Sequence, residues 1–306
     1  MKPKAQIDAF GAVVLVSFSV LLGLNQVGVK LVNEALSPTA QAGWRSIAAF
    51  LPVLAFALFM RRRLDWRDGT LPWGLLAGVL FAGEFLLLFL ALEVSNVARV
   101  SLLFYTMPVF VALGAHWLVP GERLTGRRAI GLALAVVGVA LCMSGGHSGR
   151  SASLLGDVFS LAAAACWAAM ALMLRITPLS KASAEMNLLY QLAVSGVLLA
   201  AVAALTGDVL REPTPFLWGI FALQVIFVVC VGFLTWIWLI SIYPVAQVTS
   251  FSLLTPLFGV LFGVLIFDDP IGPAFLLALA LVLGGLALIN TPPKAASGGS
   301  SEALPE

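Results

Sequence analysis

Two stretches of the chain share one pattern, and their relation decides the fold. Residues 96–118 read NVARVSLLFYTMPVFVALGAHWL, and residues 244–266 read PVAQVTSFSLLTPLFGVLFGVLI. Both are long apolar runs with a proline at the same internal position, and the alignment continues into the run that follows each of them. The coinciding residues include Val97 with Val245, Ala98 with Ala246, Pro108 with Pro256, Phe110 with Phe258 and, after the loss of one residue, Gly138 with Gly285. The second half of the chain therefore repeats the first.

The composition shows that this repeat does not fold in water. Of the 306 residues, 61% are hydrophobic and 10% are charged, and the mean hydropathy is +1.04. A soluble domain carries about 25% charged residues, so a water-soluble fold is excluded. The net charge of +2 gives no basic surface for nucleic acid. The sequence therefore predicts an integral membrane protein.

Windows of about 20 apolar residues indicate where a chain crosses the bilayer as a helix. Ten such windows follow one another here, separated by short polar or proline-containing turns that leave no room for a soluble domain. The predicted spans are residues 8–33, 38–60, 71–93, 96–118, 126–144, 153–175, 183–206, 214–240, 244–267 and 271–290. Strands of a membrane barrel would alternate over about ten residues, so these longer, uniformly apolar segments predict an all-α fold.

Each copy of the repeat holds five predicted spans, and an odd number inverts the second copy. We therefore predict a first five-helix repeat in residues 1–148 and an inverted second repeat in residues 149–290, followed by a disordered tail, 291–306. The glycine- and serine-rich stretch 144–153 lies at the midpoint and is the predicted hinge. Two similar inverted halves can move around one central cavity that opens to either side in turn, which favours a secondary transporter.

The distribution of Lys and Arg predicts the orientation, because cytoplasmic loops are enriched in both. If the N-terminus is cytoplasmic, the cytoplasmic side receives Lys2, Lys4, Arg61, Arg62, Arg63, Arg67, Arg123, Arg127, Arg128, Arg175, Lys181 and Lys294. The other side receives Arg99, Arg150 and Arg211. We therefore predict that both termini lie in the cytoplasm.

Three ionisable residues fall within predicted spans, where a charge is costly and marks a candidate functional residue. Glu84 lies nine residues from Glu93 at the end of its span, about 14 Å deep at 1.5 Å per residue. Arg45 and Lys30 also fall in the outer half of the membrane. We hypothesise that Glu84 pairs with Lys30 or Arg45 as a gate, or binds a substrate ammonium group. A static ion pair, or a protonated Glu84 bonded to a neighbouring helix, is the alternative.

Aromatic and amide side chains within the spans form a second set of candidates for substrate binding. The aromatic candidates are Tyr105, Trp167, Tyr190 and Trp236. Tyr105 lies one turn before Pro108, where a broken backbone hydrogen bond leaves room for a cavity. Trp167 is surrounded in sequence by alanines, and its ring can stack on an aromatic substrate or lie over an ammonium group. Asn25 is polar at mid-depth, where it contacts either a substrate or another helix.

The sequence resembles a known family over essentially its whole length. Residues 97–141 are similar to the fourth and fifth helices, and residues 245–267 to the ninth helix, of the ten-helix branch of the drug/metabolite transporter superfamily, the EamA-like permeases. The motif is Pro108 followed by Gly121-Glu122, with Asp268-Asp269 in the second copy where the family usually has a glutamate. The resemblance implies two antiparallel five-helix halves around a central cavity, in the inner membrane of a bacterium. It also implies transport of small metabolites, because the branch includes exporters of amino acids, aromatic ones among them.

Three classes of function were weighed against these patterns. A secondary transporter of small amphipathic metabolites, most simply an exporter of neutral or aromatic amino acids, fits best; a multidrug or cationic-metabolite exporter of the same fold is the alternative. A passive channel would show rings of charge or a carbonyl filter. No HExxH, GxSxG or P-loop motif occurs, so no enzymatic activity or direct use of ATP is predicted. No cofactor or metal site is expected; proton coupling and a monomeric or dimeric state stay open.

Overall fold

The structure is a computed structural model that describes residues 6–120, 122–144, 153–244, 247, 248, 251 and 253–290, and the described elements are helical. The predicted tail, residues 145–152 of the predicted hinge, Arg150, and the matched Val245 and Ala246 lie outside the described residues. The helices are α1 (Ala9–Val32), α2 (Pro38–Phe59), α3 (Leu71–Val94), α4 (Val97–Leu118), α5 (Gly126–Ser144), α6 (Leu154–Ile176), α7 (Ala184–Thr206), α8 (Pro215–Leu223, Gln224–Val231 and Gly232–Ile242), α9 (Leu254–Phe267) and α10 (Pro273–Asn290).

The observed helices confirm the all-α membrane fold. Within the described residues, nine helices are long and apolar enough to cross a bilayer, and α9 is a shorter apolar helix. Residues 247, 248 and 251, ahead of α9, are also helical. The helix bounds agree with the predicted spans to within about two residues at most ends, because uninterrupted apolar runs of this length have no other stable conformation in lipid.

Two helices depart from regular α geometry. α4 is interrupted between Val97–Phe104 and Met107–Leu118, where Pro108 lies in the first turn of the second part and lacks an amide hydrogen. In α8, Gln224–Val231 forms a π-helical segment, which the sequence did not predict. Such wider turns are often found at functional sites. Both irregularities free backbone groups and space within the membrane.

Short polar side chains close the amino-terminal ends of the helices. Each accepts a hydrogen bond from a backbone amide two or three residues along the chain, which satisfies one of the free donors there. The capping residues are Asp8 of α1, Ser37 of α2, Asn96 of α4, Ser153 of α6, Ser183 of α7 and Thr214 of α8. These caps place the helix boundaries where polar residues interrupt the apolar runs.

Close contacts at glycines show in which direction neighbouring helices run. A Cβ on Gly43 of α2 would lie 2.7 Å from the backbone nitrogen of Ala200 in α7, and one on Gly196 would lie 2.9 Å from Ile47. Residue numbers fall in α2 as they rise in α7, so these helices are antiparallel. The same relation holds between α5 and α10, in which Gly131 and Gly285 lie against each other.

The packing of the helices repeats between the two halves. α3 packs against α6 as α8 packs against α1, and α1 packs against α9 as α6 packs against α4. Helices α2 and α7 pack against each other, and so do α5 and α10. Adding five to a helix number in the first half, or subtracting five from one in the second half, converts one contact into its counterpart, and counterpart helices run in opposite directions. The fold is therefore an inverted repeat of five-helix units, as predicted.

The loops lie at two ends of the bundle. The N-terminal face is defined here as the end that carries the N-terminus and the loops after α2, α4, α6 and α8. At this face, Ser183 Oγ donates to the Arg63 carbonyl at 3.3 Å, and Arg62 forms an ion pair with Glu185 at 3.0 Å. The opposite face carries the loops after α1, α3, α7 and α9, and Arg211 there contacts Glu93 at 2.6 Å. The loops at Arg61–Arg63 and at 178–181 therefore share one face, as the ten-span prediction requires.

We predict that Gly43→Val destabilises the protein through the crossing of α2 and α7. The new side chain would meet backbone atoms of α7 that cannot yield, which we expect to lower the free energy of unfolding by about 1–3 kcal/mol. Gly219→Val is the matched control, because nothing lies within 4 Å of a Cβ at Gly219 in α8 and the intrinsic cost of valine in a helix is the same. Thermal unfolding in detergent compares the two; equal stability would contradict the close crossing.

Candidate functional site

Several polar side chains are buried in the middle of the bundle with at least one atom that lacks a hydrogen-bond partner. Gln26, Gln41, Arg45, Glu84 and Gln224 are each at most 4% exposed. The unpartnered buried atoms in this group, together with one from half-buried Asn25, are Asn25 Oδ1, Gln26 Nε2, Gln41 Oε1, Arg45 Nη1, Glu84 Oε2, and Gln224 Nε2 and Oε1. A buried polar group without a partner costs about 1–3 kcal/mol, and lipid offers it no alternative partner. Such a cluster therefore indicates a site for a polar ligand.

Arg45 and Glu84 form the charged part of this cluster. The Arg45 guanidinium carbon lies 4.1 Å from the ring centre of Phe85 and 4.8 Å from that of Phe89, so α3 stabilises the cation through two aromatic faces. Glu84, also on α3, is near enough for its charge to act on Arg45. The two side chains are nevertheless not among the ion pairs within 4.0 Å that the described residues form.

The interrupted part of α4 supplies a second wall. Ser101 Oγ donates a hydrogen bond to Gln26 Oε1 of α1, which leaves Gln26 Nε2 unpaired. Tyr105 follows one turn later, and its hydroxyl lies near both Gln26 and Glu84. The break at Tyr105 therefore brings a phenol beside the charged pair, as expected from its position before Pro108.

Helix α6 approaches the cluster from the other repeat. A Cβ on Gly83, the neighbour of Glu84, would lie 3.6 Å from Cys166 Sγ, and the Glu84 charge acts on this thiol. Trp167 is the next residue of α6 and is half-buried. Cys166 was not a candidate in the sequence, since it is one of three cysteines in apolar runs without a partner.

Two glutamines near the site were also missed. Gln224 begins the π-helical segment of α8 and lies beside Gly28 of α1, where a Cβ would be 3.3 Å from Gln224 Nε2. Gln41 of α2 donates from Nε2 to the Val29 carbonyl at 3.2 Å, and its Oε1 is unpaired. An amide inside a predicted span was the available signal, but the sequence does not reveal which face of the helix carries it.

Three of the predicted site residues lie apart from the cluster. Tyr190 of α7 shares a hydrogen bond of 3.1 Å with Thr70 Oγ1 near the N-terminal face, and its ring packs on α3. Trp236 of α8 stacks on Phe18 with 6.1 Å between ring centres. Lys30 donates to the Ser95 carbonyl at the opposite face, so Arg45 and not Lys30 is the cation near Glu84. Arg45, Glu84 and Tyr105 are the predicted residues that the fold brings together, and Asn25 is half-buried on α1 with its Oδ1 unpaired.

A buried ion pair beside the site is fully satisfied. Asp157 in the first turn of α6 accepts two hydrogen bonds from Arg99 in α4, at 2.5 and 2.6 Å, and both residues are at most 5% exposed. This bidentate contact holds the starts of α4 and α6 together at the opposite face. It shows how this fold pairs buried charges when no ligand is involved.

The two faces of the bundle differ in what lies there. A pocket of about 390 Å³ opens at the N-terminal face and is lined by Gln6, Ile7, Ala12, Gln247 and Phe251. At the opposite face, Asp269 Oδ2 accepts from the Ala98 amide at 2.8 Å. Burial raises the pKa of the Asp269 carboxyl, and the Ala98 amide and the Lys30 charge oppose this. Within the described residues, no group of three or more His, Cys, Asp or Glu side chains can hold a metal ion.

Sequence comparison assigns the family. The profile of the EamA-like transporter family matches residues 9–144 and, a second time, residues 154–291. The chain belongs to the EamA-like transporter family. The two matches correspond to the two inverted halves of the bundle, and a family of transporters agrees with the prediction that the chain is not an enzyme.

Relatives of similar length support this assignment. The chain is 25% identical over 287 residues to "Uncharacterized transporter YvbV" of Bacillus subtilis, covering 93% of this chain and 92% of that protein. It is 28% identical over 277 residues to "Probable amino-acid metabolite efflux pump" of Escherichia coli, covering 87% and 90%. A solved crystal structure with 19% identity superposes with a TM-score of 0.64, covering 91% of this chain and 96% of the other, and it shows the fold alone.

Proposed function

We propose that this EamA-like transporter is a secondary transporter that exports neutral and aromatic amino acids by alternating access. The observation that carries the proposal is the cluster of unpartnered polar groups around Glu84 and Arg45, buried between the two inverted halves. The efflux of amino-acid metabolites in the name of the Escherichia coli relative supports the substrate class and the direction.

Glu84 is the proposed partner of the substrate ammonium group. Its Oε2 lacks a hydrogen-bond partner, so an incoming ammonium would replace a missing contact and would not compete with an existing one. Tyr105 offers aromatic surface near it, on which a planar substrate side chain can stack. A substrate with an amino group and an apolar or aromatic side chain fits these groups.

The proposed location is a bacterial inner membrane with both termini in the cytoplasm. The N-terminal face carries Arg61, Arg62 and Arg63 in one loop and Arg175 at the end of α6, whereas Arg211 is on the opposite face. This asymmetry supports the orientation because cytoplasmic loops are enriched in Arg and Lys. In that orientation the pocket at the N-terminal face lies on the cytoplasmic side.

Two other functions fit less well. A multidrug or cation exporter would place a cation on the aromatic groups near Glu84, but Arg45 already lies over the Phe85 and Phe89 rings and its charge repels a second cation. A channel needs a continuous aqueous path, whereas Gln26, Arg45 and Glu84 at the centre are at most 4% exposed. A closed centre supports alternating access.

We predict that Glu84→Gln abolishes amino-acid transport and leaves the protein folded, because the amide removes the charge that binds the ammonium group and keeps the shape of the side chain. Counterflow of L-phenylalanine in proteoliposomes measures transport, and an imposed proton gradient in the same vesicles tests coupling. Glu212→Gln, at an exposed glutamate of the opposite face, is the control that should retain wild-type counterflow.

Two results would contradict the proposed function. Unchanged counterflow in Glu84→Gln would remove Glu84 from the mechanism. If the wild type shows no saturable counterflow with amino acids but shows it with a cationic drug, the proposed substrate class is wrong. If the flux of amino acids rises linearly with concentration, the protein is a channel and the proposed mode of transport is wrong.

A further inference from the structure

The charged centre of the bundle carries an inference about the form in which the substrate is bound. Arg45 and Glu84 are buried, opposite in charge and near one another, yet neither contacts the other within 4.0 Å and each has an atom without a partner. Arg99 and Asp157 show that two buried charges in this fold can form a direct bidentate pair. The gap between Arg45 and Glu84 therefore needs another explanation.

We infer that this gap holds the substrate as a zwitterion, with its carboxylate on Arg45 and its ammonium on Glu84. The inference rests on the proposed function and narrows its substrate class to molecules that carry both charges. The Phe85 and Phe89 rings hold the guanidinium in place through its faces, which leaves its N–H edge for a carboxylate.

Charge balance gives the physical reason for this selectivity. A zwitterion pairs both buried charges at once, and the filled site is neutral. A simple amine would leave Arg45 unpaired in a water-poor site, and a simple carboxylate would leave Glu84 unpaired, each at a high energetic cost. The site thus selects an amino acid over the amine or the carboxylate that carries the same side chain.

Three ligands with one phenyl ring test this inference: L-phenylalanine, phenethylamine, which lacks the carboxylate, and 3-phenylpropionate, which lacks the ammonium group. We expect only L-phenylalanine to compete strongly for counterflow in the wild type. In Arg45→Gln, the preference for L-phenylalanine over phenethylamine should fall about 10- to 100-fold, the usual effect of one charged hydrogen bond. The preference over 3-phenylpropionate should change far less.

Matched variants separate binding from structure. Ser46→Ala changes the next residue of α2, whose hydroxyl accepts from Ser195 at 2.9 Å, and should leave the ligand preferences unchanged. Arg45→Lys keeps the positive charge but loses the two parallel N–H donors of the guanidinium, so its preference for L-phenylalanine over phenethylamine should be intermediate. This variant also provides the test if Arg45→Gln does not fold. If wild-type L-phenylalanine counterflow occurs but the preference is the same in both Arg45 variants, the inference is overturned and the proposed function stands.

A second inference comes from residues at the two faces of the bundle. Arg175 ends α6, and its two terminal nitrogens contact the Glu122 carboxylate after α4, at 2.9 and 2.5 Å. In the aligned repeats, Lys30 coincides with Arg175, and Asp269 coincides with Glu122. The Lys30 and Asp269 charges act on each other at the opposite face. A basic and an acidic residue therefore recur at each face; Arg175 and Glu122 form a direct ion pair, whereas Lys30 and Asp269 are not among the ion pairs within 4.0 Å that the described residues form.

Each pair joins the first helix of one repeat to the fourth helix of the other. At the opposite face, Lys30 donates to the Ser95 carbonyl and Asp269 accepts from Ala98, so both charged groups also hold the start of α4. Gly263 leaves the space for this carboxylate, since a Cβ there would lie 2.5 Å from Asp269 Oδ2. At the N-terminal face, Arg175 and Glu122 are exposed and can separate in water.

We propose that these pairs are two gates, one for each face, which open in alternation. An exposed ion pair such as Arg175–Glu122 contributes little to stability, so the energy of substrate binding suffices to open it. At the opposite face Asp269 is buried, and opening there must release the contacts of Lys30 and Asp269 with the start of α4. Since inversion places equivalent residues at both faces, loss of one pair should favour the state that is open at that face.

Cys166 beside the central cluster is a native reporter of opening. The background carries Cys142→Ser and Cys230→Ser, so Cys166 is the remaining native thiol. A membrane-impermeant thiol reagent is applied to one side or the other of membrane vesicles. In parallel, an engineered Asp65→Cys shows which side of the vesicles is the N-terminal face. We expect Glu122→Gln to increase Cys166 labelling from the N-terminal face by about twofold to fivefold, the range for an exposed ion pair. Asp269→Asn and Lys30→Gln should increase labelling from the opposite face.

Glu93→Gln is the matched control, because Glu93 forms an exposed ion pair with Arg211 at the opposite face. It should change Cys166 labelling less than Asp269→Asn does. Increased labelling from the same face in Glu122→Gln and Asp269→Asn, no change in either, or an equal effect of Glu93→Gln would each overturn the proposal of alternating gates.

Discussion

The hydrocarbon interior of a membrane offers no hydrogen bonds, so every polar group there must find a partner inside the protein. Most of this chain obeys that constraint. Serine, threonine, asparagine and aspartate side chains cap the helices, and Arg99 forms a bidentate pair with Asp157. Among the described residues, the largest group of exceptions is the one around Arg45 and Glu84, which lies where the two inverted halves meet; Asn33, Ser95 and Asn187 each leave one further buried atom unpaired. The buried polar groups that lack hydrogen-bond partners therefore indicate where the substrate binds.

Inversion gives the site its second property. Because equivalent helices run in opposite directions, a contact that closes one face has an equivalent contact at the other. Arg175 with Glu122 and Lys30 with Asp269 follow this rule, although the second pair also engages the start of α4. A central site with one gate at each face is the arrangement that we propose for alternating access.

The sequence predicted the fold more completely than the site. Span positions follow from hydropathy, because a long apolar run in lipid has to be helical, and the odd number of spans implied the inversion. Glu84 and Arg45 were found because charges in spans are rare. The hydrogen bond between Tyr190 of α7 and Thr70, the residue before α3, could not be predicted in this way, since this contact depends on how α3 and α7 pack. Gln224 was missed because the π-helical segment that contains it leaves no mark in the hydropathy pattern.

The central claim is that a transported amino acid supplies the missing partners of the buried cluster. Protection of Cys166 tests it directly, since this thiol lies beside Gly83 and Glu84. With Cys142 and Cys230 replaced by serine, saturating L-phenylalanine should slow the modification of Cys166 by a small thiol reagent, and phenethylamine or 3-phenylpropionate at the same concentration should not. An unchanged rate with L-phenylalanine, in a protein that transports it, would place the substrate elsewhere and contradict the account.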